Sequence, residues 1–101
     1  MLSVYPACFF EEEVGYSVIF PDLNWLATQG DTLEEAMESA VDCLAGYIFT
    51  SQEDGEELPT ASSIENIDIE SIRKELELEE NTKCFVNLIS VDVKAYAKEH
   101  F

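Results

Sequence analysis

The chain has 101 residues, 47% of them hydrophobic and 11% aromatic, which is enough for one folded domain spanning 1–101 and too apolar for disorder along its length. Twenty-two acidic residues against five basic ones give a net charge of −17, and this argues against direct binding to nucleic acid or to anionic membranes. No apolar run approaches the ~18 residues of a membrane span, and MLSVYPACFFEEE lacks the basic start and cleavage site of a secretory signal, so the expected location is cytoplasmic.

In chain order, LSVYPACFF and GYSVIF are rich in Val, Ile, Tyr and Phe and read as two strands of a hairpin, joined by a turn that contains Gly15. Pro6 has no amide to give a ladder, which favours an edge or a strand start for the first of them. LATQ reads as a short third strand, entered through a turn over Pro21 to Asn24 and left at Gly30. At Thr32 the period changes from two to about 3.6. Leu33, Ala36, Met37, Ala40, Val41, Leu44, Ala45 and Ile48 then form the apolar stripe of a long helix. Thr32 followed by Glu35 fits a capping box, with the glutamate returning to the Thr32 amide. TSQEDGEELPTASS reads as a polar loop, and beyond it Asp68 caps a short helix carrying Ile69, Ile72 and Leu76. KCFVNLISVDV is apolar nearly throughout and reads as an interior strand, and KAYAKEHF starts a last helix. The result is an α+β fold.

The charge is unevenly placed. Arg73, Lys74, Lys83, Lys94 and Lys98 are the only basic residues, so residues 1–72 carry 16 acids and no base. Asp31, Glu34 and Glu35 fall where a helix N-terminus favours negative charge. Glu34, Glu38 and Asp42 repeat at i, i+4 and i+8, a spacing at which like charges cost roughly 0.2–0.5 kcal/mol per pair. Local helix stability therefore does not account for that stripe. It is either a solvated face or a surface shaped for something basic. Trp25, the single tryptophan, lies in a turn bordered by acids; it packs into the core or, if exposed, serves as a binding anchor.

Support for catalysis or cofactors is thin. His100 sits at the chain end, no Gly-rich phosphate loop occurs, and no cofactor is expected. Cys8, Cys43 and Cys84 lack metal-site or disulfide spacing and read as free thiols. A metal-dependent nuclease that gathers Asp22, Asp31, Glu35 or Asp92 around Mg2+ is the enzymatic alternative, and the cation-free first 72 residues count against it. A regulatory module for some other basic protein is a further alternative.

YPACFFEEEVGYSVIFPDLNWLATQGDTLEEAMESAVDCL resembles the N-terminal domain of the HicB antitoxins of bacterial toxin-antitoxin systems. The similarity rests on Tyr5 to Ala7, Gly15 and Tyr16, Phe20 to Leu23, and Thr28 to Ala36, in that order and spacing. ELPTASS and FVNLISVDV are similar to the family's later loop and returning strand. The resemblance implies a partial ribonuclease H-like fold: a three-stranded antiparallel meander, a long helix packed across it, and a returning fourth strand. It also implies a non-enzymatic antitoxin that covers HicA, a small basic messenger-RNA-degrading ribonuclease, and that forms a homo-oligomer, a dimer or higher. With the charge pattern, it makes Glu11, Glu12, Glu13, Asp22, Trp25, Glu34, Glu38 and Asp42 the expected toxin contacts. The family usually has Pro-Gly-Cys where this chain has Asn24, Trp25 and Leu26. Full-length members commonly add a DNA-binding domain, so any DNA binding is expected from such a domain, which is absent from this chain.

Overall fold

The computed structural model describes residues 1–101. Strands β1 (Ser3–Glu11), β2 (Tyr16–Phe20) and β3 (Leu26–Gly30) form an antiparallel meander, and β4 (Cys84–Val91) returns against β1. The order across the four-stranded sheet is β3-β2-β1-β4. Helix α1 (Leu33–Glu53) follows the meander, while α2 (Ile69–Glu75) precedes β4 and α3 (Val93–His100) follows it.

Alternation along β1 splits the core in two. Tyr5, Ala7 and Phe9 join Val18, Phe20, Ile89 and Val91 against Ala36, Ala40, Leu44 and Ile48 of α1, in the larger cluster. Cys8, Phe10 and Ile19 face the other way and meet Ile72 of α2, with Ile69 and Leu76 beside it. Burial on that second face pushes the Cys8 thiol up to about 11. Six consecutive residues of β1, Tyr5 to Phe10, are buried, so this strand is covered on both sides.

The assignment of interior and edge strands is thus the reverse of the expected one. β1 is interior despite Pro6, and β4 lies at an edge despite its apolar run. The Glu11 amide donates to the Lys83 carbonyl at 2.8 Å, so odd-numbered β1 amides point to β4 and even-numbered ones to β2. Pro6 therefore faces β2, but the β2 ladder reaches only as far as Cys8 and Ile19. No ladder bond is lost at the proline, which removes the objection to an interior position.

The helix ends follow local chemistry. Thr32 caps α1 by accepting from the Glu35 amide at 3.1 Å. Glu35 reaches back one residue further than the capping-box expectation, accepting from the Asp31 amide at 3.1 Å and not from that of Thr32. α1 also runs on through Thr50 to Glu53, because Ser51 turns inward and is buried, so the loop after it is shorter than the polar composition implied. Asp68 and Asp92 cap α2 and α3 through the amides of Ser71 and Ala95. α2 closes with a Schellman motif: Leu78 N–H donates to Arg73 O and Glu77 N–H to Lys74 O, with Glu77 held at φ +56°.

Two glycines set the meander against the start of α1. A Cβ on Gly15 would meet the Gly30 carbonyl oxygen at 2.3 Å, and one on Gly30 would meet the Ala36 amide nitrogen at 2.3 Å. The hairpin turn therefore abuts the end of β3 and the first turn of α1.

Candidate functional site

α1 runs from the hairpin end of the sheet, where its N-terminus lies against Gly15 and Gly30, to the β2–β3 turn, where the Asn24 side chain donates to the Tyr47 hydroxyl at 3.1 Å. Its apolar stripe is on the sheet, so Glu34, Glu38 and Asp42 lie on the outer face, all exposed. At 1.5 Å of rise per residue they span about 12 Å. No cation pairs with any of the three: the molecule's ion pairs are Arg73 with Glu70, His100 with Glu99, and the N-terminal amine with Asp92. Asp42 instead accepts from the Tyr96 hydroxyl of α3 at 2.8 Å, and this contact raises the tyrosine's pKa after burial has already done so. Tyr96 is thus a member of the acidic surface that the sequence did not reveal, since nothing local links α3 to α1.

Glu11, Glu12 and Glu13 are exposed at the hairpin end, where they border a shallow recess with Glu77, Glu79 and Lys83. Because Gly15 packs on Gly30 and Asp31, this end of the sheet adjoins the N-terminus of α1. At the far end of the helix lies Trp25, 44% exposed, which settles its position in favour of the surface. The Leu26 amide donates to the Leu23 carbonyl at 3.1 Å, with Asn24 at φ +56° and Trp25 at φ +61°, the pattern of a type I′ turn. Glycine suits such a position, and an L-residue held there costs roughly 1–2 kcal/mol. Proline, whose ring fixes φ at about −65°, could not take the place of Asn24 here, so this turn differs in shape from one built on the Pro-Gly that the resembling family usually has.

Asp22 sits apart from the other acids. It is half-buried, and its carboxylate accepts from both the Ser62 amide at 2.7 Å and the Ser62 hydroxyl at 2.8 Å. Tyr5 extends the same tie by donating to the Pro59 carbonyl, so the segment after α1 is fastened across this end of the sheet. Of the eight expected contacts, Glu34, Glu38 and Asp42 share the outer face of α1, Glu11 to Glu13 lie at the hairpin end near its N-terminus, Trp25 lies in the turn near its C-terminal half, and Asp22 fastens a loop.

The carboxylates of the metal-nuclease alternative do not converge. Asp22 is bound to Ser62, Asp31 and Glu35 serve the start of α1, and Asp92 caps α3 beside the N-terminal amine. No three His, Cys, Asp or Glu side chains come together as a metal-binding group.

Together these features define the class: an acidic α+β domain with one long helix across a four-stranded antiparallel sheet. A family of known proteins has the same description. The model of the HicB-like antitoxins of bacterial toxin-antitoxin systems matches residues 5–100, and the chain belongs to that family. It is 42% identical over 59 residues to Antitoxin HicB 2 of Photorhabdus laumondii subsp. laumondii, a match covering 58% of this chain and 42% of that protein. The chain spans less than half the length of the curated relatives it matches. Among solved structures, a toxin-antitoxin complex from Streptococcus pneumoniae superposes with a TM-score of 0.81 at 28% identity, covering 95% of this chain and 73% of that one. A chain of the HicA3 and HicB3 toxin-antitoxin complex shares the fold at a TM-score of 0.65 and 20% identity, over 85% of this chain and 94% of that one. No helix is long and apolar enough to cross a membrane.

Proposed function

We propose that residues 1–101 act in the cytoplasm as one toxin-binding domain, which neutralises a small basic HicA-like ribonuclease by covering its RNA-binding surface. The observation that carries this reading is the stripe of acids on α1 that no cation neutralises, and the exposed tryptophan of the β2–β3 turn is the second feature it uses. Membership in the antitoxin family supports it. A surface that binds RNA must be cationic, and a stripe of unpaired carboxylates competes for such a surface directly.

Charge and anchor divide the work. The carboxylates raise the encounter rate and orient the complex, because screened surface charges add little to final affinity. Nanomolar binding needs about 12 kcal/mol, so most of it must come from buried apolar contact, for which Trp25 is the candidate. Its left-handed backbone is strain of the kind that concentrates at binding sites. The domain acts by occupying a surface, with no chemical step of its own.

The test is coexpression with a small basic HicA-like protein, sought in the reading frame next to the one that encodes this chain. A stoichiometric complex in which that protein's ribonuclease activity is lost supports the reading. Magnesium-dependent RNA cleavage by this chain alone, abolished by changing one carboxylate, would replace it with the nuclease.

A further inference from the structure

We infer that the seam between β3 and α1 is a groove in which the domain takes an extended cationic segment of its partner, paired along the free edge of β3. The inference rests on the toxin-binding reading above and locates the partner's backbone within that surface.

β3 is an outer strand of the sheet. Even-numbered residues of β1 bond to β2, so the registers turn the even-numbered residues of β3 toward β2 and leave the amides and carbonyls of Ala27 and Gln29 pointing out. The Ala27 carbonyl takes only the Cys43 thiol of α1, at 3.9 Å, and the two amides and the Gln29 carbonyl meet no partner. Exposed edges ordinarily carry charge, proline or a bulge that blocks further pairing. This edge has none of them: its register with β2 is unbroken from Leu26 to Gly30, and residues 23–30, LNWLATQG, hold no charge in a chain of which 27% is charged.

α1 forms the other wall. Cys43 lines two shallow recesses along the seam, one with Leu26, Asp42, Asp54 and Glu56, the other with Thr28, Glu38 and Asp42. Four exposed carboxylates thus border the groove, and no Lys, Arg or His does. Asp54 and Glu56 stand at and just beyond the C-cap of α1, outside its acidic stripe, and only the fold groups them with Glu38 and Asp42. The exposed Trp25 directly precedes β3, so a strand paired with Ala27 and Gln29 runs close to the indole.

Charge selects the occupant. A second copy would set Glu38, Asp42, Asp54 and Glu56 against the same four residues, and nucleic acid is repelled by all of them. An extended segment carrying Lys and Arg suits both walls at once. Its backbone completes the β3 edge, while the side chains on one of its faces reach the carboxylates of α1 and of the turn after it.

Amide hydrogen exchange of the full chain, alone and in complex with the small basic HicA-like protein, reads the edge directly. The Ala27 and Gln29 amides, open in the free domain, should exchange at least about tenfold more slowly in the complex. Gln29→Pro removes one outward amide without touching the β2 ladder and should weaken the complex about fivefold, with the circular dichroism of the domain unchanged. Asp54→Lys/Glu56→Lys should slow association at low salt although Glu34, Glu38 and Asp42 are intact. A complex in which both amides exchange as fast as in the free domain would overturn the inference and leave toxin binding standing, whereas the absence of any complex would overturn both. The wild-type amides decide the matter even if Gln29→Pro fails to fold.

Discussion

Trp25 and Asp22 show how neighbouring residues of one turn serve different ends. Asp22 spends both carboxylate oxygens on Ser62, while Trp25 has no comparable structural duty, is exposed, and sits at a backbone angle that glycine would hold without strain. Trp25→Gly should therefore leave the fold as stable as wild type, or stabilise it by up to about 1 kcal/mol in urea unfolding. The same change should weaken toxin binding at least tenfold by calorimetry. A destabilised variant that binds normally would make Trp25 a packing residue. Neither the exposure nor the strain was legible in the sequence, because a tryptophan among acids and turn formers fits a core position equally well. The Asp22–Ser62 tie was equally hidden, since its partners lie 40 positions apart.

At the scale of elements, Thr32, Asp68 and Asp92 each accept from an amide three residues on. Asp68 is held below its ordinary pKa first by the Ser71 amide and then by the Ser71 hydroxyl. A carboxylate whose folded pKa is depressed contributes stability above its unfolded value and loses it as pH falls through the folded value. α2 should consequently loosen at acid pH, below the ordinary aspartate range, and Asp68→Asn should flatten that part of the stability profile. An unchanged acid limb in the variant would show that the cap carries no linkage. Caps of this kind were readable at Thr32 and Asp68 because donor and acceptor lie within one turn. The α1 stripe was readable because its period is fixed by the helix itself. Strand position was not readable: β1 and β4 exchanged roles, since an apolar run signals burial on two faces only if something covers them. For β1 that cover is α1 on one face and α2 on the other, and β4 has it only in part.

On the whole-molecule scale, charge is sorted around the fold. Acids line α1 and the hairpin end, every base lies in the segment from α2 to α3 alongside seven acids, and Arg73 is tied down by Glu70, the Thr82 carbonyl and the Cys84 thiol. The order of strands and helices and the acidic excess could be read from the chain. That the acidic flank of α1 runs from near the hairpin end toward the turn that holds Trp25 could not, because it depends on the contacts that seat the helix. The central claim is that this flank draws a cationic ribonuclease onto the domain. Stopped-flow association of the toxin with Glu34→Lys/Glu38→Lys/Asp42→Lys, measured from about 20 to 500 mM salt, tests it most directly. The account predicts an on-rate lowered at least about tenfold at low salt, with a shallower salt dependence and a nearly unchanged off-rate. An on-rate equal to wild type at 20 mM salt would contradict it.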